Sequence, residues 1–161
     1  MMGPHRFAPR LAQVPLDELF AAGIRGLIVD LDNTLLGFGE SELAEDHIAW
    51  VAKAHEQGMK AVMLSNNFSD RVTAVAASLG IECVPNALKP LPFGFLRAKR
   101  MLGLRRRQIA VVGDQLFTDV LGGRLCGFYT ILTEPIENKD FAITRFFRFL
   151  ERLMLPQRRP L

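Results

Sequence analysis

Two cysteines in 161 residues, Cys83 and Cys126, are too few for a disulfide framework, and they lack metal-site spacing. Both sit in apolar runs, which reads as small buried hydrophobes in a reducing compartment. The first residues hold no apolar core of the kind a secretory leader carries, so export is not expected. No apolar run reaches the roughly 18 residues that a spanning helix needs. Internal repeats and low-complexity tracts are absent. With 49% hydrophobic residues and 23% charge, nothing suggests disorder. What remains is a cytoplasmic chain, or one peripheral on the inner face of a membrane, with the length of one domain and enough of it to bury a core.

The net charge of +3 is unevenly spread. Residues 1–138 hold 14 Lys/Arg against 15 Asp/Glu, and residues 139–161 hold six against two. The excess basicity belongs to the C-terminal segment.

Pattern and punctuation divide the chain as follows. Residues 1–14, with Pro4 and Pro9, read as an irregular arm. A short helix over 15–22 stops at Gly23. A strand over 26–31 leads to a loop or small flap at 35–39, then to a helix over 41–56 capped by Ser41. A strand over 60–64 and a helix over 69–79 follow. After these come a strand over 81–84, a helix over 91–102, a strand over 108–112, a short helix over 116–126 and a strand over 128–132. A connector precedes a last helix over 141–155 and a Pro/Arg tail at 156–161. Five alternations of strand and helix predict an α/β fold. Its sheet is parallel and five-stranded, with helices on both faces, in a three-layer Rossmann-like arrangement.

Residues 25–36 read R-G-L-I-V-D-L-D-N-T-L-L. A short apolar run rich in β-branched residues suits a strand buried on both faces, and it ends in Asp30 and Asp32. Taken alone, Asp, Asn and Thr there are also ordinary turn formers. The other strands repeat the pattern. The second ends in Ser65 and Asn66, Lys89 lies a few residues past the third, and Asp114 ends the fourth, with Asp119 five residues on. In a parallel sheet these ends share one edge, so the groups can converge.

The set suits phosphoryl transfer. Asp30, Asp32 and Asp114 can hold a hard divalent cation such as Mg²⁺. One carboxylate can attack phosphorus, and a second, two residues along, can protonate the leaving oxygen. The Ser65 hydroxyl and nearby backbone N–H groups can hold phosphate oxygens, with Lys89 as a point cation.

These residues resemble the haloacid dehalogenase superfamily of aspartate-nucleophile phosphatases. Its four motifs occur in order: D-L-D-N-T at Asp30–Thr34, V-M-L-S-N-N with Ser65, N-A-L-K-P with Lys89, and G-D-Q-L-F-T-D with Asp114 and Asp119. The resemblance implies Asp30 as nucleophile and Asp32 as general acid/base that also offers its backbone carbonyl to the metal. It implies Thr34 as support for the first loop, and Ser65 with the Asn66 backbone as phosphate ligands. Lys89 would stabilise the nucleophile and the phosphoryl group. Asp114 would bind Mg²⁺, and Asp119 would orient Lys89 or the metal shell. Cys126 and the three histidines match no motif. D-L-D-N-T-L, L-S-N-N and G-D-Q-L-F-T-D-V-L-G-G further resemble the small YqeG-type phosphatases of subfamily IIIA. Related eukaryotic proteins act on phosphatidylglycerophosphate, which makes that lipid a candidate substrate.

Neither gap between the first three motifs has room for a cap domain. The site should be open, which favours a phosphate on something large. In the 141–155 helix, Phe141, Phe146, Phe147 and Phe149 alternate with Arg145, Arg148 and Arg152. Such a helix either packs its phenylalanines on the core or lies on an anionic membrane. A second basic cluster, Arg97, Lys99, Arg100 and Arg105–Arg107, reads first as a solvated face, with contact to anionic lipid or nucleic acid as the alternative. Neither cluster interleaves aromatics as a single-strand groove does, so nucleic acid is not favoured. The expected function is a Mg²⁺-dependent phosphatase acting through an aspartyl-phosphate. The alternatives are a phosphatase for another phosphorylated metabolite or protein, and a binding or assembly factor on the same fold.

Overall fold

A computed structural model describes residues 3–37, 42–67 and 70–136 of the chain. The expected 141–155 helix and the 156–161 tail lie outside the described residues.

The described elements run β1 (Arg6–Ala8), α1 (Leu16–Ala21), β2 (Gly26–Asp30), α2 (Glu45–Glu56), β3 (Lys60–Leu64), α3 (Asp70–Ser78), β4 (Glu82–Val84), α4 (Pro92–Leu102) and β5 (Ile109–Gly113). A π-helical turn (Leu116–Val120), α5 (Leu121–Leu125) and β6 (Tyr129–Thr133) follow, and short 3₁₀ turns lie at Leu11–Gln13 and Arg106–Gln108. The sheet has six strands in the order β1-β6-β5-β2-β3-β4, and every pair is parallel.

The sixth strand is the one departure in architecture. Residues 6–8 were expected in an irregular arm, yet they pair with β6 in the register Arg6↔Ile131 to Ala8↔Thr133. The reason is non-local. The His5 ring stacks on Tyr129 at 4.8 Å, and its Nδ1 accepts from the Thr130 N–H at 2.9 Å. Three residues flanked by prolines carry no strand period of their own.

Alternation along the central strands explains the layers. Leu27 and Val29 of β2, Met63 of β3, and Ala110 and Val112 of β5 join one core with α1, α2 and α3. Ile28, Val62, Leu64, Ile109 and Val111 face the other way, onto Phe95, Ala98 and Leu102 of α4. Strands covered on both faces must be apolar throughout, which is why β2 and β5 read as unbroken runs.

The strand order fixes the site. From β2 the chain moves outward to β3 and β4, then returns to place β5 on the other side of β2. The chain reverses direction between β2 and β5, and an open parallel sheet leaves a crevice at that point beyond the carboxyl ends of the strands. Asp30 is the last residue of β2, and Asp114 follows the last residue of β5.

Candidate active site

The loop after β2 turns sharply. Asn33 takes a left-handed conformation at φ 62°, which Asn tolerates better than most residues. Its N–H donates to the Leu36 carbonyl at 2.7 Å, closing the turn. Behind it, fully buried His47 of α2 sets its Nδ1 2.9 Å from the Leu35 carbonyl. A carbonyl only accepts, so Nδ1 carries the proton. This strut had no signal beyond a histidine on the inner side of a helix.

Lys89 is the hub. Its ammonium donates to Asp30 Oδ1 at 2.8 Å and to Asp119 Oδ1 at 2.6 Å, and all three side chains are buried. Burial pulls the Lys89 ammonium down, but the charges of Asp119 and Asp30 and the hydrogen bonds to both outweigh it, so its pKa stands above the ordinary value. The backbone of Lys89 is clamped as well. Asn66 Oδ1 accepts from the Lys89 N–H at 2.7 Å, and Asn66 Nδ2 donates to the Lys89 carbonyl at 3.2 Å. The sequence offered Asn66 as a backbone phosphate ligand; its side chain also fixes the lysine.

Asp119 reaches the hub from the π-helical turn, where its second oxygen accepts from the Gln115 N–H at 3.2 Å. Such turns recur at functional sites. The approach requires Gly113, because a Cβ there would stand 2.2 Å from Asp119 Oδ2. Thr34 Oγ1 lies 3.5 Å from Asp30 Oδ2 and 3.4 Å from Asp114 Oδ1, tying the first loop to the end of β5. Ser65 is buried, and its Oγ accepts from the Asn67 N–H at 3.0 Å. A hydroxyl that accepts still has its own proton to donate.

The structure therefore brings Asp30, Thr34, Lys89, Asp114 and Asp119 together, with Ser65 and Asn66 at the next strand end. Asp32 lies apart from the acidic cluster. Its Oδ1 is paired with Arg71 Nη1 of α3 at 2.9 Å, and Arg71 Nη2 donates to the Gly37 carbonyl at 3.4 Å. Arg71 had not been singled out. Only its place, one residue into the helix after the S-N-N loop, could have drawn notice.

The charge balance is uneven. Carboxylate oxygens of Asp30, Asp114 and Asp119 all lie within 4.8 Å of one another, against one ammonium. Burial, then the charges of Asp30 and Asp119, raise the Asp114 pKa well above the carboxylate range. Burial and the Asp30 charge push Asp119 up to about 7 despite the pull of Lys89. A cluster of hard oxygen donors short of positive charge fits a divalent cation.

Comparisons with known proteins agree with this geometry. A family model described as haloacid dehalogenase-like hydrolase matches residues 1–127. The chain is 38% identical to a probable phosphatase YqeG from Bacillus subtilis, over 94% of this chain and 88% of that one. It is 30% identical to a chloroplastic phosphatidylglycerophosphate phosphatase 1 from Chlamydomonas reinhardtii, over 83% of this chain but 53% of that longer protein. Among solved structures, a 3-deoxy-D-manno-octulosonate 8-phosphate phosphatase from Moraxella catarrhalis aligns with a TM-score of 0.54. It is 18% identical and covers 73% of each chain, so it bears on the fold. With Asp30, Lys89, Asp114 and Asp119 converged at the switch point of a parallel sheet, the chain belongs to the haloacid dehalogenase-like hydrolase family, among its phosphoric monoester hydrolases.

Proposed function

We propose that this chain is a Mg²⁺-dependent phosphatase that works through an aspartyl-phosphate on Asp30, with phosphatidylglycerophosphate as the candidate substrate. The observation that carries the reading is the buried Lys89 joining Asp30 to Asp119 beside Asp114. Asp30 and Asp114 side chains and the Asp32 backbone carbonyl would hold Mg²⁺. When bound, the ion supplies positive charge to the phosphoryl oxygens.

In the first step an Asp30 carboxylate oxygen attacks phosphorus and the bond to the leaving oxygen breaks. Asp32 gives that oxygen a proton. Water then attacks the same phosphorus, its proton passes to Asp32, and the acyl-phosphate bond breaks to free Asp30 and inorganic phosphate. Lys89 keeps one Asp30 oxygen fixed, while Ser65 and the Asn66 backbone hold the transferring group. Such catalysis rests on position and charge. The lipid assignment draws on the resemblance to a phosphatidylglycerophosphate phosphatase and on the absence of an inserted cap among the described residues between β2 and β4.

Purified protein is expected to hydrolyse an aryl phosphate with Mg²⁺ and to stop with EDTA. A panel adding phosphatidylglycerophosphate in anionic vesicles separates the substrates. Turnover of soluble phosphates with none of the lipid rejects the lipid assignment. No metal-dependent turnover of any phosphoester points to a binding or assembly role.

Arg71→Met tests the second carboxylate. Without its partner, Asp32 loses the orientation that Arg71 sets, and misplaced catalytic groups cost up to about 100-fold. The expected result is a kcat lower by roughly tenfold or more with KM little changed, partly rescued by Arg71→Lys. An unchanged kcat would remove Arg71 from the positioning of Asp32.

A further inference from the structure

Nine large apolar side chains are exposed among the described residues, and four of them, Leu88, Leu91, Phe93 and Leu96, fall within nine positions. Phe93 is the most exposed at 69%, with Leu88 at 55% and Leu91 at 50%. This stretch carries Lys89 and starts α4, so it stands on the rim of the crevice. Leu88 is held at φ 56°, a left-handed conformation that a bulky residue adopts only where its surroundings impose it.

The exposed side of α4 changes character along its length. Phe93, Leu96, Arg97 and Arg100 follow i, i+3, i+4 and i+7 spacing and form one stripe. Its other side, Phe95, Ala98 and Leu102, is buried in the core. Because α4 follows a strand end and runs back along the parallel sheet, its N-terminus lies at the catalytic edge. The stripe is therefore apolar beside the site and cationic farther away. At 1.5 Å per residue, Arg97 sits about 6 Å behind Phe93 and Arg100 about 10 Å behind it. Interfacial elements bury apolar residues about 5–10 Å into the boundary between head groups and acyl chains, with basic residues at the anionic surface.

We propose that Leu88, Leu91, Phe93 and Leu96 form an apolar tip that inserts into an anionic lipid surface. Arg97 and Arg100 engage its head groups, so that the crevice opens onto the membrane. The inference deepens the lipid reading above, but binding to a membrane does not depend on any particular phosphomonoester. The charge of the stripe selects the occupant. A protein groove would match the leucines and phenylalanine equally well, but it gives no account of arginines spaced one and two turns behind them. A phosphate presented at the head-group plane would meet the crevice directly, so that the membrane surface would restrict substrates where the described residues between β2 and β4 form no cap.

The test uses the full chain and phosphatidylcholine vesicles with and without phosphatidylglycerol, neither containing a phosphomonoester. The wild-type chain is expected to co-sediment with the anionic vesicles and to be released by salt. Leu91→Ser with Phe93→Ser should weaken partitioning by roughly tenfold or more. Serine at position 91 also supplies the side-chain cap that α4 lacks, so the helix should hold. Arg97→Gln with Arg100→Gln should weaken anionic binding by roughly tenfold or more while leaving neutral vesicles unaffected. Turnover of a soluble aryl phosphate should stay unchanged in both variants. Vesicle binding equal to wild type in the Leu91/Phe93 variant overturns the proposal and leaves binding to other segments. No vesicle binding by the wild-type chain overturns it too, as does a wild-type dimer that the apolar variant converts to monomer. Failure of aryl phosphate turnover in the wild-type chain bears on the phosphatase reading alone.

Discussion

Lys89→Met is expected to destabilise the metal-free protein by about 3–5 kcal/mol and to abolish turnover, because it removes the ammonium that pairs with two buried carboxylates. The Lys89 side chain is 4% exposed, and its ammonium touches Asp30 and Asp119 at hydrogen-bond distance. Methionine fills a similar volume, so the loss arises from charge and not from a cavity. Asp119 keeps the Gln115 N–H, and Asp30 keeps the long contact from Thr34. The second variant separates charge from packing. Lys89→Met with Asp119→Asn should regain part of the stability, since one uncompensated charge is gone, while turnover stays absent. Denaturant unfolding in EDTA measures the first quantity and aryl phosphate hydrolysis the second. Equal instability in single and double variants would show that packing, not charge, sets the cost.

The same cluster gives a sign to pH dependence. In the metal-free protein Asp119 is raised from its ordinary 3.8 to about 7, by burial first and then by Asp30. A folded-state value above the unfolded one means that the folded protein keeps a proton the unfolded chain gives up. The associated stability is fully present below about pH 4 and is lost as pH rises through about 7. Lys89 pulls Asp119 downward, so its removal should extend that loss to higher pH.

Most of this site was legible because chemistry at strand ends is local in sequence. Asp30, Ser65 and Asp114 each follow an apolar run, and a parallel sheet brings such ends together whatever the details of packing. The Lys89 bridge was implied by the family resemblance, which set Lys89 on the nucleophile and Asp119 on Lys89; strand-end chemistry alone offered Asp32 as the third acid, where the structure has Asp119. What stayed hidden depends on distance along the chain. β1 exists through contacts 125 positions away at Thr130. Arg71 meets Asp32 across 39 residues, from a helix whose pattern marks it only as solvated. The π-helical turn that delivers Asp119 reads as ordinary helix, because its extra residue per turn leaves no mark in composition. Side-chain pairing between elements is where sequence periodicity stops informing.

Asp30→Asn should remove at least about 10⁴-fold of turnover while leaving the fold as stable as wild type or more so. The two halves of that outcome have different causes. Asparagine keeps the size of the side chain and an oxygen that can accept from Lys89, 2.8 Å away in the native protein. It cannot attack phosphorus as a carboxylate does, so a nucleophilic role predicts loss on the scale seen when covalent catalysts are disabled. Stability moves the other way. The Asp30 charge is one of the causes that raise both Asp114 and Asp119. Removing it relieves repulsion inside a buried cluster while Lys89 retains Asp119. Unfolding in EDTA should therefore show a shallower loss of stability between about pH 4 and pH 7 than in wild type. Phosphoryl transfer to the protein gives an independent readout. Rapid quench with a labelled phosphoester should trap phosphate on the native chain and none on the variant. Residual turnover near wild type would place the nucleophile elsewhere in the crevice. A variant that fails to fold would instead mean that Asp30 holds Lys89 in the core by its charge.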